Sequence, residues 1–511
     1  MFPGRSHTRA SAMRRLIGNA TLLFALLSLS SSTMPAQLNI YLDSTQQVIR
    51  GFGAANILPW RPDMTSDQIT KAFGTGAGQV GFSLLRLRLS SSSSEFPMNL
   101  PTAQAAGGMG VTIFASPWSP PASLKTNNNI VAGSLADTSY ASYAAYLKSF
   151  VDYMAGNGVQ IYAVSVQNEP DASVTYESCS WNSTQMLNFM KNNAPSVGAP
   201  VCMPESESFV HSLSDAALSD SVAAPHIAFV AGHIYGGGLT SYPLATSKGK
   251  ELWMTEHLDT DTSWTAVLNT GKEMNDCMSA GMSAYVTWYI VRYYGPIGDD
   301  GSVTKRGYVM SQYARFIRPG FNRVFNNYLR GSLYVTAYRS NASVVIVAVN
   351  LGSTPVQQQF SILDLANAGG TLTPYVTSRS KNCEQQSGIT VVNGQFTATI
   401  ADSSVTTFVG DITTGVGDRG PAAPRTYALY QNYPNPFNPT TEITFEIPVR
   451  SRVMLKVFNV LGQQVATILN DVEDAGVRSV QFDARALPSG TYLYRLQAND
   501  FTETKEMILL K

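Results

Sequence analysis

Cysteine is scarce in this sequence: Cys179, Cys202, Cys277 and Cys383 are the four in a chain of 511 residues. A disulfide framework therefore does not hold the fold together, although one bridge, Cys179 to Cys202, is allowed. Their scattered spacing offers no zinc signature. Charge of one sign is missing too: 35 basic and 35 acidic residues cancel and form no block. Nucleic-acid binding has no electrostatic support. Long apolar runs are absent except at the start, where Arg9, Arg14 and Arg15 precede Leu16–Leu29, and small and polar residues follow from Ser30 to Ala36. This is the three-part pattern of a secretory signal, with cleavage expected near Ala36 or Gln37. A membrane anchor is the alternative, but Gly18 and Asn19 break the run and it falls short of a full span.

What is present is apolar and aromatic. Hydrophobic residues make up 44% of the chain, enough for a sizeable core, and the 24 Tyr and 6 Trp suit either that core or stacking on sugar rings. The length predicts two or three domains. From Arg50 to Pro319, short apolar runs alternate with helical stretches, the pattern of βα repeats. Eight strands are expected, at Gly51–Ala55, Leu84–Leu89, Thr112–Ala115, Ile161–Val166, Pro200–Met203, Ile227–Ala231, Glu251–Thr255 and Ala284–Ile290. Helices are expected at Asp137–Ala155, Ser183–Asn193, Trp264–Ser279 and Tyr308–Ile317. In the first of these, Tyr143, Tyr146, Leu147, Phe150 and Tyr153 recur at helical spacing and read as core. Eight such units predict an α/β fold, a closed (β/α)8 TIM barrel over residues 50–319. A doubly wound open sheet is the rival, but no glycine-rich dinucleotide fingerprint follows the first strand.

Past Gly320 the runs shorten and alternate, as in Leu333–Tyr338, Ser343–Val349, Gly388–Val392 and Phe396–Ile400. Residues 320–412 are expected to form an antiparallel β-sandwich, joined by a strand from residues 37–49. Residues 413–426, rich in Gly, Pro and Ala, read as a linker. Residues 427–511 read as a second small β module, with strands near Thr441–Ile447, Val453–Asn459, Ser479–Asp483 and Gly490–Gln497. Its opening run, Tyr433-Pro434-Asn435-Pro436-Phe437-Asn438-Pro439, is too proline-rich for a sheet interior.

In a barrel, reactive groups sit where strands end and βα loops begin. The fourth strand ends in Gln167-Asn168-Glu169-Pro170 and the seventh in Trp253-Met254-Thr255-Glu256-His257. Each sets a glutamate after a buried run, on the same end of one barrel. Two carboxyls about 5–5.5 Å apart cleave a glycosidic bond with retention, one as acid and the other as nucleophile. The bland alternative is a pair of rim salt bridges. Glu205 and Glu207 follow the fifth strand and are expected to be loop carboxylates, and Asp171 to shape the turn after Pro170.

These motifs resemble glycoside hydrolase family 30, in its bacterial glucuronoxylanase branch. The resemblance rests on Ala163-Val164-Ser165-Val166-Gln167-Asn168-Glu169-Pro170-Asp171, Ala115-Ser116-Pro117-Trp118-Ser119-Pro120-Pro121 and Gly232-His233-Ile234-Tyr235-Gly236. Further matches are Trp253–His257, the run from Trp288 to Gly295, and Lys305–Gln312. It spans roughly Gly51 to Asp411. It implies that Glu169 is the acid/base and Glu256 the nucleophile, with Asn168 bonded to a sugar hydroxyl or to the nucleophile. It also implies that Trp60, Trp118, Tyr235 and Trp288 line sugar subsites. Arg292, with Tyr289 and Tyr294 beside it, takes the place of the branch's arginine for the glucuronate side group of xylan. One departure stands out: the loop Leu258-Asp259-Thr260-Asp261-Thr262-Ser263 is shorter than the branch's. Leu258 cannot donate a hydrogen bond, and Asp259 or Asp261 would repel a uronate.

The C-terminal module resembles the sorting domain of the type IX secretion system, through Asn432–Thr441, Val457–Gly462 and Leu487–Tyr492. The two resemblances together imply a secreted monomeric endo-xylanase, passed through an outer membrane, that needs no cofactor or metal. The alternatives are relaxed or exo-acting specificity, action on β-glucan, and, in a different class, a xylan-binding surface protein.

Overall fold

The structure, a computed structural model, describes residues 37–327, 331–363, 370–411, 427–499 and 501–511. The expected signal sequence at 1–36 and linker at 413–426 lie outside the described residues. No helix among the described residues is long and apolar enough to cross a membrane.

The chain enters as β1 (Leu38–Val48) and then builds eight parallel strands. These are β2 (Gly51–Asn56), β3 (Leu84–Leu89), β4 (Thr112–Pro117) and β5 (Ile161–Ser165). They continue with β6 (Val201–Ser206), β7 (Ile227–His233), β8 (Glu251–Glu256) and β9 (Met282–Tyr289). Strand β9 pairs back onto β2, so the barrel closes. Each strand falls on one of the eight expected runs.

Side-chain alternation explains why the runs are apolar on both faces. Leu84 points into the barrel with Phe114, Ala163, Phe229 and Trp253, whereas Leu85, Leu87 and Leu89 face the surrounding helices. Phe229 stacks on Trp253 with ring centroids 4.0 Å apart, so the N-terminal end of the barrel is packed solid. Gly53 is required by this packing, because a Cβ there would lie 2.2 Å from the Leu84 carbonyl oxygen. The four expected helices are present at Tyr140–Gly156, Ser183–Asn192, Trp264–Ser279 and Lys305–Ala314. Four short ones, Ser66–Phe73, Leu100–Gly108, Ser212–Ser219 and Pro243–Ser247, were not among those named from the sequence.

Strand β1 leaves the barrel and joins the side domain. It runs antiparallel to Asn322–Asn326 and parallel to Val356–Leu363, the one parallel pair in that sheet among the described residues. The sheet folds over on itself, because Phe408, near one end of the strand order, packs its ring 5.7 Å from Phe360 and 5.5 Å from Phe396, near the other. Gln312, fully buried on the last barrel helix, fastens the two domains: its amide donates to Thr377 Oγ1 and its carbonyl accepts from Thr407 Oγ1, both at 2.7 Å.

The C-terminal module is a three-stranded sheet packed on a four-stranded one. Three of its strands, Ala428–Leu429, Gln464–Glu473 and Phe501–Leu509, were not expected. Its proline run lies at the edge: Phe437 buries its ring and donates its N–H to the Ile508 carbonyl.

The allowed Cys179–Cys202 bridge is corrected: all four cysteines are free and buried. Cys202 points into the barrel, whereas Cys179 packs outside it beside Trp181, so a strand wall separates the two sulfurs. Burial pushes the Cys179 thiol up to about 11, which leaves it unreactive.

Phe360→Ala is expected to cost about 3–5 kcal/mol, because its fully buried ring holds the two halves of the side sheet together. Urea denaturation would check this, as a drop in midpoint without a change in slope.

Candidate active site

Strand β3 reads Leu-Leu-Arg-Leu-Arg-Leu, and alternation turns both arginines inward. One layer above Leu84, the Arg86 guanidinium is fully buried at the C-terminal end of the barrel. Its Nη1 donates to Glu256 Oε2 at 2.5 Å and its Nη2 to Asn168 Oδ1 at 2.6 Å. The same group lies 3.1 Å from Glu205 Oε1, and its Nε donates to Ser116 Oγ at 3.1 Å. Its open face rests on the Trp118 ring, 4.7 Å from the centroid.

Local backbone irregularity aims the acids. Glu169 sits at φ 45° and Glu205 at φ 56°, a left-handed conformation that costs a non-glycine residue free energy. Both are pinned, since Asn168 N–H donates to the Pro117 carbonyl at 2.8 Å and Glu169 N–H to the Glu205 carbonyl at 2.9 Å. The β6–β7 ladder slips between Pro204 and Ser206, and the β7–β8 ladder slips where His233 pairs with Glu256. Such slips re-aim side chains at barrel rims.

The outcome is one cluster. Glu169, His233 and Glu256 each offer a ligand-type atom within 4.8 Å of the others. His233 Nδ1 contacts Glu169 Oε1 at 2.9 Å. Tyr235 donates its hydroxyl to Glu256 Oε1 at 3.0 Å, so each oxygen of Glu256 has its own donor. The Tyr176 hydroxyl reaches Glu169 Oε2 at 3.4 Å. The same trio is where a cation would bind, but the Arg86 guanidinium already supplies positive charge to Glu256.

The electrostatics follow from burial. Desolvation and the Glu169 charge push the Glu256 carboxyl up, against the pull of His233 and Arg86. For Glu205, burial is outweighed by Arg86 and then His233, and the pKa falls to about 2. For His233, burial is outweighed by Glu256, Glu169 and Glu205, and the pKa rises to about 9. Burial and the Glu256 charge raise the Tyr235 phenol well above its usual range, so it remains a donor.

Most expected site residues converge. Trp118 is buried under the site, with Trp60 5.5 Å and Trp288 5.7 Å from it, centroid to centroid, and Tyr289 4.7 Å beyond Trp288. Arg292 and Tyr294 lie on the loop after β9, further out; Arg292 stacks on Tyr293 at 5.4 Å. Asp171 accepts from Ser206 Oγ and Glu207 N–H, which ties the segment after Pro170 to the end of β6. Glu205 is the correction: it lies within β6, fully buried, not in a loop. Arg86 and His233 carry no expected role, although two arginines at inward positions of an apolar strand were the available signal. The loop after Glu256 is held by buried Arg306, which donates to the carbonyls of Asp259, Asp261 and Tyr294. A cavity of about 420 Å³ where the barrel, the side domain and the C-terminal module meet, lined by Asn275, Arg323, Tyr334 and Glu442 among others, has no such convergence of acids.

The shifted groups set the pH dependence of stability. Glu205, depressed from 4.5 to about 2, stabilises the fold above pH 4.5, and this is lost as pH falls towards 2. His233, raised from 6.5 to about 9, stabilises it below pH 6.5, and this is lost as pH rises through 9. Unfolding midpoints are therefore expected to be highest between those limits, and His233→Gln to flatten the alkaline arm. Arg86→Met, which strands buried carboxylates, is expected to cost about 3–5 kcal/mol in the same assay.

Comparison with known proteins places this geometry. Residues 73–194 match the glycosyl hydrolase family 30 TIM-barrel domain, and residues 431–510 match the secretion system C-terminal sorting domain. The chain is 37% identical over 390 residues to glucuronoxylanase XynC of Bacillus subtilis (strain 168), covering 73% of this chain and 92% of that protein. It is similar in structure to Xyn30A, a family 30 subfamily 8 xylanase from Clostridium acetobutylicum, at 36% identity and a TM-score of 0.69, covering 74% of this chain and all (100%) of that one. A family 30 endoxylanase from Clostridium papyrosolvens gives 37% identity and a TM-score of 0.68 over the same 74%. The sorting domain marks a protein exported to the cell surface or beyond. The chain belongs to glycoside hydrolase family 30.

Proposed function

We propose that this exported glycoside hydrolase is a retaining endo-β-1,4-xylanase that acts on glucuronoxylan, with Glu256 as nucleophile and Glu169 as acid/base. The carrying observation is that Glu169 and Glu256 approach within 4.8 Å at the loop end of one barrel, near the spacing of about 5–5.5 Å that retention uses. The relatives named for xylan cleavage support the substrate class.

Glu256 in its ionised form, with Oε2 held by Arg86, attacks the anomeric carbon while the bond to the leaving oxygen breaks. Glu169 gives that oxygen a proton, which it shares beforehand with His233 across their 2.9 Å contact. The xylosyl group is now an ester of Glu256. Glu169, ionised, takes a proton from water, the water oxygen attacks the same carbon, and Glu256 leaves as carboxylate. Both ends of the cycle meet the same enzyme state. Arg292 is assigned to the glucuronate carboxylate, since guanidinium grips carboxylate bidentately. A second reading, weaker dependence on that side group, is favoured by Leu258, which has no donor to offer it.

Glu256→Ala is expected to abolish turnover of xylan with the fold intact, and Glu169→Gln to lower kcat by about 10²–10⁴-fold. Proton NMR of fresh products is expected to show the β-anomer first; an α-anomer, or near-normal activity of the Glu256 variant, would overturn the assignment.

A further inference from the structure

Barrel closure makes the first and last βα loops neighbours. Ala55 on β2 pairs with Tyr289 on β9, and the Ile290 N–H donates to the Ala55 carbonyl at 3.0 Å. Arg61, five residues past β2, and Arg292, three past β9, are thereby brought to one carboxylate. Arg61 Nη2 lies 2.6 Å from Asp299 Oδ1, and Arg292 Nη1 lies 3.9 Å from Asp299 Oδ2.

The three groups are unequally held. The Arg61 contact is short and hydrogen-bonded, the Arg292 contact is at the limit of an ion pair, and Asp299 is 44% exposed at its side chain. Arg61 Nε is buried without a hydrogen-bond partner among the described residues. Two guanidinium groups against one carboxylate leave an excess positive charge, and Arg292 has donors to spare. The location is right for a side group of a bound polysaccharide. Trp60, next to Arg61 in sequence, makes edge contacts with Trp118 and Tyr176, and Tyr176 touches Glu169. Both arginines also act on the Tyr289 phenol: burial and Tyr294 raise it to about 12, while Arg61 and Arg292 oppose that.

We infer that Arg61 and Arg292 form a two-guanidinium clamp for the glucuronate carboxylate, with Asp299 as the internal carboxylate that occupies it in the free enzyme. This rests on the xylanase reading above and extends it. The uronate takes over the weakly held side, at Arg292, and leaves Arg61 bridging the incoming carboxylate and Asp299. Two positive and two negative charges then balance. The second arginine supplies a donor that Leu258, at the head of the loop after Glu256, cannot.

The test compares kcat/KM on glucuronoxylan with kcat/KM on an unsubstituted linear xylooligosaccharide, for the full-length chain and for Arg61→Ala, Arg61→Lys, Arg292→Ala and Asp299→Asn. Arg61→Ala is expected to lower the ratio of the two about tenfold, through KM, as for loss of one charge-assisted contact. Arg61→Lys is expected to lose less, and Asp299→Asn to raise the ratio by removing the competing carboxylate. Equal losses on both substrates, or an unaltered ratio in Arg61→Ala, would overturn the clamp. So would a lowered ratio in Asp299→Asn. If Arg292→Ala lowers the ratio and Arg61→Ala does not, only the clamp is lost. If neither lowers it, the glucuronate reading itself fails.

Discussion

The Arg86 guanidinium is the group on which this site depends. It is fully buried and faces Glu205 and Glu256, with Asn168 and Ser116 completing its hydrogen bonds. An isolated buried charge is prohibitive, and so are two close carboxylates without a cation between them. Together they satisfy one another, and His233 adds a further positive neighbour. The consequence reaches beyond stability. In its proposed role as nucleophile, Glu256 must be ionised in a place where burial favours its neutral form, and the 2.5 Å contact from Arg86 opposes that preference without blocking the other oxygen.

A rigid frame is needed to hold such opposed charges, and the barrel supplies it. Leu84, Phe114, Phe229 and Trp253 fill the layer below, so the charged layer cannot sink. The ladder slips beside Ser206 and His233 and the left-handed backbone at Glu169 and Glu205 are costs borne at the rim. They persist because neighbouring strands over-determine them through the Pro117 and Glu205 carbonyls. Arg306 extends the frame outward, since one guanidinium fixes the carbonyls of Asp259, Asp261 and Tyr294 and so couples the loop after Glu256 to the loop bearing Arg292.

Much of this was legible in the sequence because the barrel strands are short apolar runs with sharp ends. The placing of Glu169 and Glu256 at strand ends on one rim followed from counting those runs. What escaped the reading has physical causes. Arg86 escaped because inward-facing charges in a strand contradict the rule that apolar runs mark a core. Glu205 escaped because Pro204 reads as the end of a strand, whereas here it sits beside a slip in the ladder and the strand continues to Ser206. Strand Gln464–Glu473 escaped because it is half-exposed along its length and lacks the alternation that would announce it. The unused Cys179–Cys202 bridge shows the reverse limit: spacing says nothing about which side of a strand wall a sulfur takes.

The modular arrangement follows from where the chain's ends meet. Strand β1 leads into the barrel but lies in the side sheet, and the exported chain's C-terminal module rests on that same strand. Tyr41 on β1 and Tyr430 on the module share a 2.5 Å hydroxyl contact, and Tyr430 donates onward to Glu446 at 2.5 Å. Phe325 of the side sheet adds a ring contact to Tyr430. Tyr41, Phe325 and Tyr430 are not groove residues, whereas the acids and aromatic rings of the site rise from the loop ends of β2 to β9. The contact between β1 and the C-terminal module therefore uses none of the residues clustered around Glu169 and Glu256. The fold achieves this by giving β1 to the side sheet and closing the barrel with β9 instead, the closure that also brings Arg61 beside Arg292.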